Sequence, residues 1–163
     1  MSPASSAPNE HARPATAADL PAIATLAEAL RVQMADQRGG PLWAAHDALV
    51  LPTSETLSER LADPDLVTLV GTLDDHVLAY GLAHTELVPG TSLLGVIDEL
   101  FVAEPARAVG LGETLLGALV AACVAAHCIG IDATALPGDR LAKNFFESAG
   151  FKARRLVMHK PLD

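Results

Sequence analysis

Two adjacent carboxylates, Asp98 and Glu99, sit inside an otherwise apolar run from Val96 to Val102. A short loop containing Pro105 leads to Arg107-Ala108-Val109-Gly110-Leu111-Gly112, and then to the helix-forming run Glu113-Thr114-Leu115-Leu116-Gly117-Ala118-Leu119-Val120. The glycines let backbone approach a ligand closely. The unpaired N–H groups that open a helix point outward, and the helix dipole favours negative charge there. Held beside this turn, a carboxylate could remove a proton from a reacting group. The pattern therefore reads as an anion-binding turn next to a candidate base.

The identity of the anion is constrained by what is missing. A nucleoside triphosphate loop needs G-x-x-x-x-G-K-[ST], and the chain has no Gly-Lys pair. A dinucleotide fingerprint needs G-x-G-x-x-G directly after a strand. Here Leu115 stands where the third glycine belongs, and seven residues separate Val102 from Gly110. Asp132 lies about 20 residues on, as that fingerprint asks, but the loop does not fit it.

The elements that must position these groups follow from periodicity. Residues 1–11, rich in Pro, Ser and Ala, read as a disordered tail, and residues 12–163 as one domain. Ala12 to Ala15 fits a short edge strand. Thr16 is a helix N-cap with Asp19 in the first turn, and Ile23, Leu26, Ala27, Leu30 and Met34 continue at helical spacing to about Gln37. The segment Leu42 to His46, with the only Trp, falls between elements, as a substrate wall or a core plug. Thr53 to Ala62 is a second helix. Leu66 to Thr72 and His76 to Glu86 form a hairpin about Asp74-Asp75, and Leu93 to Val102 is the next strand. A helix from Leu111 to His127 and a strand from Ile129 to Ala135 complete a crossover unit, so its two strands should be parallel neighbours. Asp139 caps a helix to Ala149 with Gly150 as its terminator, and Phe151 to Lys160 reads as a last strand. The order predicts a mixed α/β domain.

Composition narrows the function classes. The chain of 163 residues is half apolar, enough for one domain with a real core. Twenty acids against eleven bases give a net charge of −9, which disfavours nucleic-acid and anionic-membrane partners. No apolar run reaches the roughly 20 residues of a membrane span, and the first residues do not form a signal peptide. A soluble cytoplasmic protein is the expectation. Cys123 and Cys128 lack zinc spacing and read as small buried hydrophobes, and no metal site is expected.

Two motifs taken together carry more. Arg107-x-x-Gly110-x-Gly112, opening a helix after Leu100-Phe101-Val102, resembles motif A of the GNAT superfamily of acyl-CoA-dependent N-acetyltransferases. Ala142-Lys143-Asn144-Phe145-Phe146-Glu147-Ser148-Ala149-Gly150-Phe151 resembles its motif B, A-x-x-[FL]-Y-E-x-x-G-F. The resemblance spans about Arg13 to Leu162, with the specific motifs in some 30 residues. It implies a central, mostly antiparallel twisted sheet of six to seven strands with one parallel splayed pair, flanked by about four helices. It also implies acetyl-CoA as acyl donor, a small-molecule or peptide amine as acceptor, and direct attack without a covalent enzyme intermediate. A homodimer is compatible with it, and so is a non-catalytic acetyl-CoA-binding role.

On this resemblance, the pyrophosphate lies against Arg107, Ala108, Val109, Gly110, Leu111, Gly112, Glu113 and Thr114, and the pantetheine arm pairs with the backbone of Leu100, Phe101 and Val102. A backbone N–H near Phe101 or Val102 would polarise the thioester. Strand alternation puts Asp98 on one face with Leu100 and Val102, and Glu99 on the other with Ile97 and Phe101. Glu99 is then the favoured base, with Asp98 next; Tyr80, His84, Glu86 and a water chain are further candidates. The sequence departs from the family at two places: Phe146 replaces a Tyr that supplies a proton, and Asp139 stands where Asn is usual.

Overall fold

Alternation along the central strand decides which side of the sheet each helix covers. The computed structural model describes residues 7–90 and 92–162. In β3 (His76–Leu87), Tyr80 and Leu82 enter one apolar core while Ala79 and Ala83 enter another. The first core holds Ile23, Leu26, Ala27, Leu30 and Met34 of α1 (Leu20–Ala35), Trp43 of α2 (Gly40–His46) and Leu57 of α3 (Thr53–Ala62). The second holds Leu111, Leu115, Leu116 and Leu119 of α4 (Leu111–Ala125). The sheet is thus sandwiched between α1–α3 and α4. Gly81 makes the close approach of α4 feasible, since a Cβ there would stand 2.9 Å from Leu119 Cδ1.

The sheet runs β1-β2-β3-β4-β5 in chain order, with β1 (Glu10–Pro14), β2 (Val67–Leu73), β4 (Leu93–Val102) and β5 (Cys128–Ala133). The first four are antiparallel, and β4 pairs with β5 in parallel, as the crossover argument predicts. The β2–β3 turn places Asp74 and Asp75 at φ +47 and +67°, the left-handed geometry of a tight hairpin. The helix α5 (Arg140–Ser148) begins with Asp139 Oδ1 accepting from Ala142 N at 3.0 Å and ends before Gly150 at φ +90°.

Several expectations are corrected. The described residues form five strands, not six to seven, and five α-helices with short 3-10 turns at Ala17–Asp19 and Glu104–Val109. The strand expected from Phe151 to Lys160 does not form; residues 151–162 pair with no strand. The Trp43 segment is a short helix, α2, with Pro41 in its first turn. The edge strand begins at Glu10 rather than Ala12, because Glu10–Pro14 pairs with Leu69–Leu73. Of the tail expected over residues 1–11, residues 1–6 lie outside the described residues. Among the described residues, no helix is long and apolar enough to cross a membrane.

Candidate active site

A β-bulge sets the geometry of the two carboxylates. Glu99 stands opposite Leu82 and Ile97 opposite Ala83, so Asp98 is the extra residue in β4. A bulge re-aims the side chains around it. Ile97 therefore packs with the α4 core, while Glu99 turns to the α1–α3 side with Phe101. This corrects the simple alternation that put Ile97 and Glu99 on one face. Asp98 also meets the α3 side: its Oδ2 accepts from Arg60 Nη2 at 2.9 Å, and its Oδ1 lies 2.7 Å from His84 Nδ1.

Glu99 is 5% exposed. Its Oε2 accepts from the Tyr80 hydroxyl at 2.6 Å, and its Oε1 accepts from Leu49 N at 2.8 Å. Burial raises its pKa above the ordinary glutamate value, against the lowering pull of the Tyr80 hydroxyl, Leu49 N and the Arg31 charge. Tyr80 is fully buried; burial and then the Glu99 charge push its hydroxyl well above the ordinary tyrosine range, so it stays a donor. Arg31 is fixed by the carbonyls of Ala44 and Leu49. The His84 ring is flanked by Asp98 and, at 3.2 Å from Nε2, by Glu86.

The parallel pairing of β4 and β5 covers only Leu93 to Ile97. From Asp98 to Val102, β4 keeps β3 on one edge and has no strand on the other. A cavity of about 70 Å³ opens where the pair parts. Leu30 and Met34 of α1, Trp43 of α2, Ile97 to Leu100 of β4, Thr134 and Ala135 past β5, and Asp139, Ala142 and Phe146 form its walls. Trp43 therefore both fills the core and faces the cleft. Asp98 and Glu99 reach it, whereas His84, Glu86 and Tyr80 do not line it. Phe146 presents a ring, edge-on to Phe145 and tilted against Phe151 with both centroids at 5.3 Å, where a hydroxyl would be useful. The Ser148 hydroxyl is bonded to the Asn144 carbonyl at 2.8 Å and is not in the wall.

The turn lies at the far end of the open edge. Arg107 braces it: Nε donates to the Val102 carbonyl at 2.8 Å, Nη2 donates to Gln33 Oε1 at 2.6 Å, and the guanidinium stacks 5.4 Å over Phe101. By alternation, the N–H and C=O of Leu100 and the N–H of Val102 share the open edge with that carbonyl. Gly110 adopts φ +88°, a left-handed cap that suits glycine. The first amide of α4 that returns to the turn is Thr114, to the Gly110 carbonyl at 3.0 Å, and no side chain caps the helix. The N–H groups of Gly110, Leu111, Gly112 and Glu113 are thus without an acceptor among the described residues. Ala108 and Val109 belong to the preceding 3-10 turn. A Cβ on Gly112 would stand 3.2 Å from Phe145 and 3.4 Å from Val102, so motif A packs directly on motif B.

Sequence reasoning did not find Arg31, the Leu49 amide, Thr134 or Glu10. The last accepts from the Thr114 hydroxyl at 3.2 Å beside Gly110. No spacing rule links positions so distant in the chain. Cys123 is buried, its thiol pushed up to about 11 by burial, and so has no thiolate to offer as a nucleophile near neutrality. No group of three or more His, Cys, Asp and Glu is placed to hold a metal among the described residues.

An open strand edge thus runs into an uncapped helix N-terminus, so unpaired backbone groups line up along one side of the sheet. Residues 32–151 match the Acetyltransferase (GNAT) family, and the chain belongs to it. Its fold is shared with a tetramutant of the BH1408 protein from Bacillus halodurans (21% identity, TM-score 0.78, 93% of this chain and 99% of that one). An aminoglycoside acetyltransferase from an uncultured soil metagenomic sample, in complex with sisomicin, is also similar (17%, TM-score 0.71, 94% and 95%). So is AAC(6')-Iy in complex with the bisubstrate analogue CoA-S-monomethyl-acetylneamine (17%, TM-score 0.70, 95% and 99%). No curated protein matches the chain in sequence.

Proposed function

We propose that the protein transfers an acetyl group from acetyl-CoA to the amine of a small molecule or peptide. The observation that carries this reading is the open edge of β4 at Asp98–Val102 leading directly to four unpaired amides at the head of α4. These residues fit coenzyme A: the amides of Gly110 to Glu113 would hold the pyrophosphate, and the open edge at Leu100 to Val102 would pair with the peptide-like pantetheine arm. The family relation and the neighbour held with a coenzyme A analogue support the same donor.

In the reaction the amine nitrogen forms a bond to the thioester carbon, the C–S bond breaks, and the amine proton must leave. Glu99 is the favoured base. It lines the cleft, and its raised proton affinity suits a base working near neutrality better than an ordinary carboxylate does. Asp98 is the weaker candidate because the cationic Arg60 holds it in a direct ion pair, whereas the Glu99 oxygens accept from neutral donors. Of the two open-edge N–H groups, Leu100 and Val102, one is the donor for the developing oxyanion and the other pairs with the pantetheine arm. With Phe146 in place of Tyr, the departing thiolate takes its proton from water or from the Thr134 hydroxyl in the cleft wall.

The test is release of free thiol from acetyl-CoA across a panel of aminoglycosides, polyamines and peptide amines, alongside thermal melting with acetyl-CoA. Turnover with one class of amine establishes the reading. A melting shift without turnover across the panel favours a binding protein of the same fold. Gly110→Asp should abolish the shift, by adding charge and a side chain at a left-handed residue; an unchanged shift would refute this placement of the turn.

A further inference from the structure

Leu49 is buried and lies between α2 and α3, where residues 47–52 form neither helix nor strand. Both of its backbone polar groups are nevertheless satisfied, and by side chains. Its N–H donates to Glu99 Oε1 at 2.8 Å, and its carbonyl accepts from Arg31 Nη2. The other terminal nitrogen of Arg31, Nη1, donates to the Ala44 carbonyl at 2.9 Å, in the last turn of α2. A guanidinium is a rigid fork of donors, so one side chain bridges two carbonyls that a point charge could not. Arg31 is placed to do so because it stands four residues after buried Ala27 and three before buried Met34, on the inward stripe of α1.

The same contact carries charge. Three carboxylates, Asp98, Glu99 and Asp139, line the cleft, and among the described residues that line it there is no Lys or Arg. Asp98 has Arg60 of α3 and His84 of β3 against it, and Asp139 caps α5. Glu99 faces the Tyr80 hydroxyl from β3, the Leu49 N–H from the loop, neighbouring Asp98 on β4 and Arg31 from α1. Of these groups only Arg31 is a cation. Burial raises the Glu99 pKa most, and Tyr80, Leu49 and Arg31 pull it back. Two of those three pulls depend on Arg31. Its charge acts directly, and its bond to the Leu49 carbonyl holds the amide in place.

We propose that Arg31 is the positioning residue for the Glu99 carboxylate: bound to the Ala44 and Leu49 carbonyls, it aims the Leu49 amide at Glu99 and sets a positive charge behind it. Its part in acetyl transfer rests on the reading of Glu99 as the base, and in that reading it touches neither substrate nor coenzyme A. Without Arg31, Glu99 is ionised over a narrower pH range, while the turn at Gly110 is untouched.

Titrating the Glu99 carboxyl carbon by NMR, in the protein without acetyl-CoA, tests this directly, with Glu99→Gln to assign the resonance. In Arg31→Gln the midpoint should move upward. Arg31→Lys keeps the charge and loses the fork, so it should fall between that variant and wild type, and it serves alone if Arg31→Gln does not fold. In thiol-release assays the acid limb of kcat/KM should move the same way. Arg31→Gln then loses about tenfold on the acid side of the limb and approaches wild type above it, with the KM for acetyl-CoA within about twofold. A role in packing alone would lower activity equally at every pH and leave the carboxyl midpoint where it is. An unmoved midpoint in the folded variants overturns the proposal. A midpoint that moves while the limb stays put supports the hold of Arg31 on Glu99 and removes Glu99 as the base, so the two readings fail separately.

Discussion

At the scale of one residue, Glu99 is the proposed base. A buried carboxylate disfavours its charge, and here two hydrogen bonds and Arg31 only partly offset that. Its native pKa therefore lies above the ordinary glutamate value. As a base it must be ionised, so kcat/KM should rise with pH through an acid limb displaced upward from that value. Glu99→Gln should lower kcat/KM by about 10²-fold or more and remove the limb, while the acetyl-CoA dissociation constant stays within about twofold. Retention of turnover and of the limb in this variant would move the role to Asp98 or to water. Asp98 and Glu99 were both legible as candidates from sequence, because carboxylates in an apolar run are rare. Their orientation was not. One extra residue in β4 opposes two positions of β3, and a local pattern cannot register a bulge.

Among the elements, the entry to α1 shows how a sequence signal becomes energy. Arg13 of β1 reaches Asp19 with Nη1 on Oδ2 at 2.7 Å and Nη2 on Oδ1 at 2.9 Å. Thr16 adds its N–H at 2.7 Å and its hydroxyl at 3.0 Å. These bonds, the Arg13 one foremost, hold the Asp19 pKa far below the ordinary carboxylate range. Because the folded value is depressed, the stabilisation is present above the ordinary aspartate value and is lost as pH falls through and below it. Asp19→Asn should cost about 2 kcal/mol near neutrality, by chemical denaturation. The gap to wild type should narrow on acidification below about pH 4. A gap that does not change with pH would mean that packing, not charge, carries the effect. Thr16 and Asp19 were readable as a helix start, but the partner Arg13 was not. β1 had to pair with β2 before its side chain met the helix.

For the molecule as a whole, the proposed function asks how a chain of net charge −9 would hold a polyanion. The donors at the turn are backbone amides, and Arg107 is engaged with Val102, Gln33 and Phe101. The long-range field is repulsive, and salt screens it over about 8–10 Å. Raising ionic strength from about 50 to about 300 mM should therefore leave acetyl-CoA affinity unchanged or tighten it by up to about threefold, measured by calorimetry. A tenfold loss would show that side-chain cations do the holding.

The sequence by itself determined the order and type of nearly every element, the parallel β4–β5 pair, and the two motifs that meet at Gly112 and Phe145. Those features are local: periodicity, caps, glycines and a crossover length specify them within a few turns of chain. Tertiary structure alone decided the rest. It set where β4 and β5 part, turned Glu99 toward Tyr80 and the Leu49 amide, and left Phe151–Leu162 unpaired despite strand-like residues. Each depends on contacts between segments far apart in sequence, and a strand becomes a strand only when an edge is there to receive it.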